Sequence, residues 1–309
     1  MSKKEYFVII NPNAGKGLSK MGWQEISSLL DDNNLEYQHQ FSEYRGHSIK
    51  IAREKAIEGY KNFIVVGGDG TLNEVINGIV SISESALNGL TFAMIPVGTG
   101  NDWCRSYNIP NNFKDAISLI KQGKTITQDL AKATYFENEQ ILTRYFANIS
   151  GIGFDAHVAI KSNLDKQMNK SGIFVYLKNV ISSLINYQSV KSTVIYDDKQ
   201  IDCKLFLLSA GKGKFNGGGM KQLPLAVPDD GFIDFTLIQD ISKFDVITQL
   251  PKLYNGTHIY HPKISTYKAR KLSITTDKKI FLEVDGETFG HSPFIFEVIP
   301  SALTVICGL

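Results

Sequence analysis

The sequence predicts an α/β protein of two domains, in which an N-terminal domain with a parallel sheet precedes a second, β-rich domain. Two observations support this fold class. Strand-like and helical segments alternate through the first 125 residues, which is typical of a Rossmann-like parallel sheet with helices on both faces. From about Thr125 the strands follow one another in pairs joined by short polar stretches, which indicates antiparallel hairpins. We therefore place the domains at 1–125 and 126–309, with an interdomain cleft between them.

The predicted elements follow from apolar runs and from helical periodicity. In the first domain we expect strands at 6–10, 36–41, 63–66 and 91–95, and helices near 20–31, 47–59, from residue 71 onward, and near 112–121. In the second domain we expect hairpin turns at the polar joints 137–139, 197–199 and 277–279. The sequence has no low-complexity tract or flexible linker, so we expect the two domains to pack closely.

The stretch from Val65 to Gly78, VVGGDGTLNEVING, predicts a phosphate-binding loop. Gly67, Gly68 and Gly70 have no Cβ, so their backbone can approach an anion closely, and the following helix presents free N–H groups at its first turn. Asp69 would repel a bare phosphate. It is therefore expected to face a metal ion that accompanies the phosphates, or to orient a neighbouring loop or cation. The alternative is a tight strand-to-helix turn whose glycines serve only geometry.

Two further glycine-rich loops follow predicted strands. NPNAGKG (11–17) comes after the strand at 6–10, and PVGTGND (96–102) comes after the strand at 91–95. Because the carboxyl ends of parallel strands lie along one edge of the sheet, the three loops are predicted to converge there. This arrangement favours a nucleotide that carries magnesium.

Eight motifs along nearly the whole chain resemble those of a known family. They are NPNAGKG at Asn11, SEYRGHS at Ser42, GGDGTLNEVING at Gly67, PVGTGNDWCRS at Pro96, GIGFDA at Gly151, GGGM at Gly217, PDDGFIDF at Pro228 and VDGE at Val284. The chain resembles the lipid kinases with a diacylglycerol kinase catalytic domain, which include bacterial diacylglycerol kinases, their YegS-like relatives, and the sphingosine and ceramide kinases. NAD kinases and phosphofructokinases have strings similar to GGDGT, whereas LNEVING, GTGND and DGE together are more specific to lipid kinases. The resemblance implies that the second domain is a β-sandwich.

The composition indicates a globular intracellular enzyme. Of the 309 residues, 43% are hydrophobic and 21% are charged, and the net charge of +2 is too small to argue for a nucleic-acid partner. The three cysteines show no metal or redox spacing, so we expect reduced thiols in a cytoplasmic protein. No apolar run reaches the roughly 18 residues that cross a bilayer. Any membrane contact is therefore expected to be peripheral, at the inner face.

The resemblance and the local chemistry together assign a set of nucleotide contacts. The set consists of Asn11, Pro12, Asn13, Ala14, Gly15, Ser42, Gly67, Gly68, Asp69, Gly70, Thr71, Leu72, Asn73, Glu74 and Thr99. ATP is the expected nucleotide and Mg²⁺ the expected metal, which Asp69 would hold directly or through water. Ser42 stands where the family often has threonine, so only its hydroxyl is carried over.

Phosphoryl transfer to an alcohol also needs a group that accepts the hydroxyl proton. Asp285 is the candidate, because it lies in LEVDGETF, where a strand gives way to a glycine turn, and because DGE is the catalytic string of the family. Glu287 is expected to share or assume the same role. The competing interpretation is an ordinary Asp-Gly β-turn with solvent-facing acids.

The string Val227 to Asp234, VPDDGFID, groups three acids around a glycine and could hold a hard cation. The resemblance implies a structural Mg²⁺ with the carboxylate of Asp230 and the carbonyls of Val227 and Phe232 as ligands. An Asp-Gly turn without a metal is the competing interpretation.

Together these observations predict an ATP-dependent lipid kinase that phosphorylates the hydroxyl of diacylglycerol or a similar lipid alcohol. A sphingoid-base kinase, an NAD kinase and a non-catalytic nucleotide-sensing protein are the alternatives. The acceptor is expected to be a membrane-derived lipid, bound in an apolar cleft near the helical segment 171–187. The sequence leaves a homodimer open.

Overall fold

The computed structural model of the protein describes residues 5–15, 17–18, 20–98, 100–167 and 173–309. Thr99 and residues 171–172, which carry predictions above, lie outside these ranges. The strands are β1 (Glu5–Ile10), β2 (Glu36–Phe41), β3 (Asn62–Gly67), β4 (Thr91–Pro96), β5 (Thr125–Glu137), β6 (Gln140–Phe146), β7 (Ile149–Gly153), β8 (Val190–Tyr196), β9 (Lys199–Gly211), β10 (Ile233–Gln239), β11 (Ile264–Ala269), β12 (Lys271–Thr276), β13 (Phe281–Val284) and β14 (Glu287–Ile306). The α-helices are α1 (Lys20–Asp32), α2 (His47–Ile57), α3 (Asp69–Val80), α4 (Asp102–Ser106), α5 (Phe113–Gln122), α6 (Phe154–Gln167), α7 (Ile173–Asn186) and α8 (Lys243–Asn255). Short 3₁₀ helices lie at Glu84–Leu87 and Thr257–Tyr260.

The first four strands form a parallel sheet in the order β2-β1-β3-β4. β1, β3 and β4 are almost fully buried, because their apolar runs are covered by helices, whereas β2 is an edge strand with mainly polar, exposed residues. The strand order changes direction between β1 and β3. In parallel sheets this position leaves a crevice at the carboxyl edge, which is where ligands bind.

The remaining strands form the β-rich part. Six of them pair in a closed antiparallel circuit, β14-β12-β8-β9-β7-β13 and back to β14. A second core fills this part, with Phe235, Phe294 and Phe296 among its largest buried side chains. The mixed α/β architecture with a sheet-rich second part is therefore confirmed, while the Rossmann-like description of the first part stays a prediction.

Two of the three predicted hairpins are confirmed and one is wrong. β5 and β6 turn at Asn138 and Glu139, both with positive φ, and β8 and β9 turn at Asp197 and Asp198. The joint at 277–279 does not connect paired strands, because β12 and β13 each pair with β14 instead of with each other. Polar joints alone do not reveal that a third strand separates the two.

The end of the chain returns to the first core. β14 is twenty residues long; its first part pairs with β12 and β13, and its last part lies parallel to β4, with Thr304 opposite Thr91. Leu303, Val305 and Ile306 are buried among the residues of the first core. The predicted boundary at residue 125 assigns the end of β14 to the second domain, although these residues pack in the first core. Within the residues that the structure describes, no helix is both long and apolar enough to cross a membrane.

Candidate functional site

The three glycine-rich loops lie against one another at the carboxyl edge of the parallel sheet, as predicted. A Cβ on Gly15 would come within 2.3 Å of the carbonyl oxygen of Val97. A Cβ on Gly98 would come within 2.9 Å of the Cα of Gly68. Glycine is therefore required where the first loop meets the third and where the third meets the second.

Asn11 connects the first loop to the start of α3. Its Nδ2 donates to Oγ1 of Thr71 at 3.0 Å, and its Oδ1 accepts from the backbone N–H of Asn13 at 3.0 Å. Its own N–H donates to the carbonyl of Val66 at the end of β3. These contacts fix the first loop beside the first turn of α3, whose N–H groups are of the kind that hold phosphate oxygens.

Asp69 orients the third loop. Its two carboxylate oxygens accept hydrogen bonds from the N–H groups of Asp102 at 2.9 Å and Trp103 at 3.0 Å, which begin α4. Burial raises the pKa of Asp69 to about 6, against the opposing effect of these two amides. Of the two roles predicted for this residue, the structure provides the contacts for loop orientation, and metal binding stays a prediction.

Asp102 then connects the third loop to the second half of the chain. Its carboxylate accepts from the N–H of Gly218 and from that of Gly219, both at 2.7 Å. The glycines belong to the GGGM motif. Sequence reasoning quoted both motifs but did not pair them. The two motifs are more than 100 positions apart, so no sequence signal pairs them.

Two other predicted nucleotide contacts, Ser42 and Glu74, connect the site to β1 and α2. Ser42 follows β2, and its N–H donates to the carbonyl of Ile10 at 2.8 Å, which places it beside the first loop. Glu74 Oε1 accepts from the N–H of Gly46 at 3.0 Å and so caps the start of α2. Both residues lie at the predicted edge, and Glu74 has a structural contact that the sequence did not predict.

Asp285 lies in a two-residue hairpin turn between β13 and β14. Asp285 and Gly286 both have positive φ, as a type I′ turn requires. Oδ2 of Asp285 accepts from Nδ2 of Asn73 at 2.8 Å, and Oδ1 accepts from the N–H of Ile149 at 3.2 Å. Burial, and then the nearby charge of Asp69, raise the pKa of Asp285 to about 7, while these donors act to lower it.

α3 and β6 bring the two halves into direct contact. Asn73 and Asn77 both donate to the carbonyl of Tyr145, at 2.9 and 2.8 Å, and the N–H of Tyr145 donates back to Oδ1 of Asn77 at 3.0 Å. The helix that starts at the glycine loop is therefore fixed to the half of the chain that carries Asp285. The structure thus places the glycine loops and Asp285 at one site.

Glu287 contacts the first half in a different way. Its Oε2 forms an ion pair with the guanidinium of Arg45, which lies in the SEYRGHS motif. Both side chains are substantially exposed, at 41% for Glu287 and 74% for Arg45. An exposed ion pair of this kind contributes about 0–1 kcal/mol. Glu287 is thus held in a surface bridge, whereas Asp285 is held inside the site.

Arg144 is a site residue that sequence reasoning missed. Burial lowers its pKa, while the charges of Asp285, Glu74 and Glu287 favour its charged form. Its guanidinium lies 5.1 Å from the ring centre of Phe289, and its Nε is buried without a hydrogen-bond partner among the residues that the structure describes. Arg144 therefore places a positive charge near Asp285, Glu74 and Glu287. It lies in β6 outside any quoted motif, so no sequence signal marked it.

A buried acid, Glu283, supports the turn that carries Asp285, and a second buried acid, Asp155, lies near enough to act on its pKa. The side chain of Glu283 is buried, and its Oε1 accepts a hydrogen bond from the N–H of Gly286. Burial, followed by the charge of Asp155, raises the pKa of Glu283 well above its usual range. Burial likewise raises the pKa of Asp155 to about 6, against a hydrogen bond from Gln222. Burial and the neighbouring acid thus both favour the neutral form of Glu283 beneath the hairpin.

The predicted structural metal ligands lie beside a lysine. Nζ of Lys212 is 2.9 Å from Oδ1 of Asp230 and donates to the carbonyl of Phe232. Val227 lies in the same segment, and its N–H donates to Oδ2 of Asp234 at 3.2 Å. Over the described part of the chain, no group of three or more histidine, cysteine, aspartate or glutamate residues has metal-binding geometry.

Two family models match the chain. Residues 5–133 match the diacylglycerol kinase catalytic domain, and residues 148–307, more than half of the chain, match the YegS C-terminal NAD kinase beta sandwich-like domain. The match to the second model agrees with the sheet-rich architecture that follows β4.

Relatives and solved structures are similar over nearly the full length. YtlR of Bacillus subtilis is 28% identical, over 97% of this chain and 98% of its own, and a diacylglycerol kinase of Staphylococcus carnosus is 28% identical, over 95% of this chain and 92% of its own. A crystal structure of a diacylglycerol kinase from Bacillus anthracis has a TM-score of 0.73 at 22% identity, over 100% of this chain and 98% of that one, which shows a shared fold.

Proposed function

The chain belongs to the diacylglycerol kinase catalytic-domain family of lipid kinases, and from that premise we propose that it transfers the terminal phosphoryl group of ATP to the hydroxyl of diacylglycerol or a similar lipid alcohol. The observation that carries this proposal is the 2.8 Å hydrogen bond between Asn73 and Asp285. Asn73 stands in the helix that begins at the glycine loop, and Asp285 stands on the other half. A nucleotide on the loop therefore lies beside a carboxyl group.

The nucleotide is proposed to bind along the contacting loops. The phosphates would lie against Asn11 to Gly15, Gly67 to Glu74 and the loop that contains Thr99, with Ser42 at the side. Close backbone packing between Gly68 and Gly98 supports this placement, because it holds the second and third loops together beside the first turn of α3, whose N–H groups suit phosphate oxygens.

The residues present fit a magnesium ion that arrives with the nucleotide. Mg²⁺ usually keeps several waters and uses one or two carboxylates plus phosphate oxygens, and Asp69 and Asp285 are close enough for their charges to interact. A cation held by Asp69 would weaken that repulsion. When bound, Mg²⁺ neutralises charge that develops on the transferred phosphoryl group. Asp69 would hold it directly or through water while orienting the third loop.

Asp285 is proposed to accept the proton of the lipid hydroxyl. A general base is most effective when its pKa lies near the working pH, and burial raises the pKa of Asp285 to about 7. The hairpin, Asn73 and the N–H of Ile149 fix the carboxylate in place. Glu287 is proposed as the secondary acid, since its carboxylate is engaged by Arg45 at the surface. Arg144 would add positive charge near these two acids.

The lipid is proposed to enter from a surface formed by α7 and α8. Ile181 and Ile185 are exposed on α7, and Phe244 and Ile247 are exposed on α8. The two helices contact each other where Lys243 donates to the carbonyl of Ile185. Exposed apolar side chains next to a lysine suit the surface of an anionic bilayer. Peripheral contact at the inner membrane face follows from this assignment.

The test is to incubate purified protein with labelled ATP, Mg²⁺ and a panel of acceptors. Diacylglycerol, monoacylglycerol, sphingosine, phosphatidylglycerol and NAD cover the proposed substrate and its rivals. A labelled phosphate on diacylglycerol is the expected product. Label on sphingosine alone would favour the sphingoid-base kinase, label on NAD alone would overturn the lipid assignment, and no label on any acceptor would favour a nucleotide-sensing protein.

A further inference from the structure

Lys212 follows directly after β9, and its side chain is fully buried. Nζ lies 3.1 Å from Oδ2 of Asp129 and 2.9 Å from Oδ1 of Asp230, and it also donates to the carbonyl of Phe232. A buried ammonium group is strongly unfavourable unless opposite charge and hydrogen-bond acceptors compensate it. Here oxygens from β5 and from the loop before β10 provide that compensation.

These contacts leave no room for a divalent ion on the same oxygens. Mg²⁺ binds oxygen at about 2.0–2.1 Å, so an ion on both Asp230 and Phe232 would lie directly against Nζ of Lys212. Two cations in contact inside a buried site repel each other strongly. The residues therefore fit an ammonium group and do not fit the structural metal that the family resemblance implies.

We propose that the ammonium group of Lys212 takes the place of a structural divalent cation, so that the second half of this protein is metal-independent. The charges around it support the assignment. Lys268 binds the other carboxylate oxygen of Asp230, so that two ammonium groups face this acid. Burial acts to raise the pKa of Asp230, but the hydrogen bonds from Lys268 and Lys212 outweigh it and lower the pKa. Asp230 is thus held as a carboxylate.

The ammonium also joins separate segments. Asp129, its partner in β5, accepts from the N–H of Gly231 at 2.7 Å and from that of Ser301 at 2.8 Å. The backbone N–H of Asp129 donates to the carbonyl of Pro228. Lys212 therefore completes a cluster that ties β5, β14 and the VPDDGFID loop together, as a metal ion would.

The backbone of Lys212 is hydrogen-bonded to the segment that holds Asp285 in the candidate active site. The N–H of Lys212 donates to the carbonyl of Asn148 at 2.9 Å. The next N–H in the chain, that of Ile149, donates to Asp285. Burying the lysine side chain fixes this backbone, so the structural cation also positions the donor to Asp285.

Thermal unfolding of the nucleotide-free protein tests the proposal. The measurement uses the Asp69→Asn variant, which lacks the metal ligand proposed for phosphoryl transfer, so that any effect of Mg²⁺ on the melting temperature comes from another site. We expect the same melting temperature in EDTA and in millimolar Mg²⁺. A melting temperature that rises with Mg²⁺, together with loss of that rise in Asp69→Asn/Asp230→Asn, would show a divalent ion on Asp230 and overturn the proposal. This comparison needs no lysine variant.

A pair of lysine variants provides the second measurement. Lys212→Met keeps most of the unbranched side chain and removes the charge that Asp129 and Asp230 need. Lys268→Met removes the half-exposed partner of the same acid. We expect Lys212→Met to lower the melting temperature by several degrees more than Lys268→Met, in EDTA and in Mg²⁺ alike. Equal stability of Lys212→Met and wild type would contradict the structural role.

Discussion

Nδ2 of Asn73 donates a 2.8 Å hydrogen bond to Oδ2 of Asp285, although the two residues are 212 positions apart. Asn73 belongs to the first turns of α3, directly after the glycine loop, and Asp285 belongs to the hairpin of β13 and β14. A bond to the charged form of an acid lowers its pKa. Asn73 thereby sets the protonation of the proposed base as well as its position.

Asn73→Ala should move the acid limb of the kcat/KM profile to higher pH. Without the hydrogen bond the pKa of Asp285 rises above about 7, so less carboxylate is present at neutral pH, and we expect kcat/KM at pH 7 to fall about tenfold. The measurement is a pH–rate profile with diacylglycerol in mixed micelles. Asn77→Ala is the matched control, because Asn77 contacts Tyr145 and not Asp285. An equal shift in both variants would assign the effect to the contact with β6.

Asp285→Asn should abolish transfer and leave nucleotide binding nearly unchanged. The amide retains the volume and loses the basicity, so we expect kcat to fall by about 10³-fold. Glu287→Gln is the control and should retain most activity, since Glu287 lies in an exposed ion pair. Full activity of Asp285→Asn with loss in Glu287→Gln would reverse the two roles.

Asp285→Asn should also stabilise the fold at alkaline pH. The folded-state pKa of about 7 lies above the ordinary value of 3.8, so the folded protein binds a proton more tightly than the unfolded chain does. The stability that Asp285 contributes is then complete below pH 4 and is lost as pH rises through about 7. At pH 8 we expect the free energy of unfolding of the variant to be about 1–2 kcal/mol higher than that of the wild type. The difference should vanish at pH 4, which denaturant titrations at the two pH values would measure.

Gly70→Ala and Gly78→Ala separate nucleotide binding from packing within one helix. A Cβ on Gly78 would lie 2.2 Å from the carbonyl oxygen of Ile49, so this change should cost on the order of 3 kcal/mol of stability. A Cβ on Gly70 meets nothing within 4 Å, and alanine should raise helix stability by roughly 0.5–1 kcal/mol. We expect Gly70→Ala to weaken ATP binding, measured by calorimetry, because the methyl group occupies the proposed phosphate space. Unchanged ATP affinity in Gly70→Ala would place the phosphates elsewhere.

Asp102→Ala should release the GGGM loop from the third glycine loop. Two N–H groups, on Gly218 and Gly219, lose their acceptor, and we expect a loss of about 1–3 kcal/mol. Hydrogen exchange of residues 217–220 should rise in parallel. Ser106→Ala is the control, since it removes two longer bonds, from the N–H of Lys214 and to the carbonyl of Asp102, both at 3.3 Å, and leaves the Asp102 carboxylate in place. Slow exchange of the glycines in Asp102→Ala would show that another group holds the loop.

Ile185→Ser/Phe244→Ser should reduce binding to anionic vesicles about tenfold without loss of stability. Both side chains are exposed on the proposed membrane-facing surface, so their removal changes little inside the protein. Sedimentation with phosphatidylglycerol vesicles measures binding, and a short-chain soluble diacylglycerol measures catalysis. Ile57→Ser, on the exposed face of α2, is the control. Equal binding of the double variant and the control would remove this surface from the proposal.

The sequence predicted those features that depend on local pattern. Apolar strands, helical periodicity and glycine loops placed β1, β3, β4 and α3 near their observed bounds, because burial on both faces and turn chemistry leave strong local signals. The convergence of the three loops followed from parallel topology alone.

The features that the sequence did not predict depend on distant partners. The bonds from Asp69 to the start of α4 and from Asp102 to Gly218 join residues up to 116 positions apart, and one chain carries no signal for such pairs. Arg144 was missed for the same reason. Lys212 was missed because a buried lysine looks in sequence like any surface lysine, and because family resemblance suggested a metal in its place.

The twenty residues of β14 run without interruption from the hairpin of Asp285 to the edge of β4. Its pairing with β5 shifts register between Ile299 and Leu303, and Ser301 at this break has a φ of 52°. A change in the relative position of the two halves would therefore have to bend β14, and the break in register around Ser301 is where the ladder would resist bending least. The N–H of Ser301 donates to Asp129, the partner of Lys212, so such a bend would also act on the Lys212 cluster.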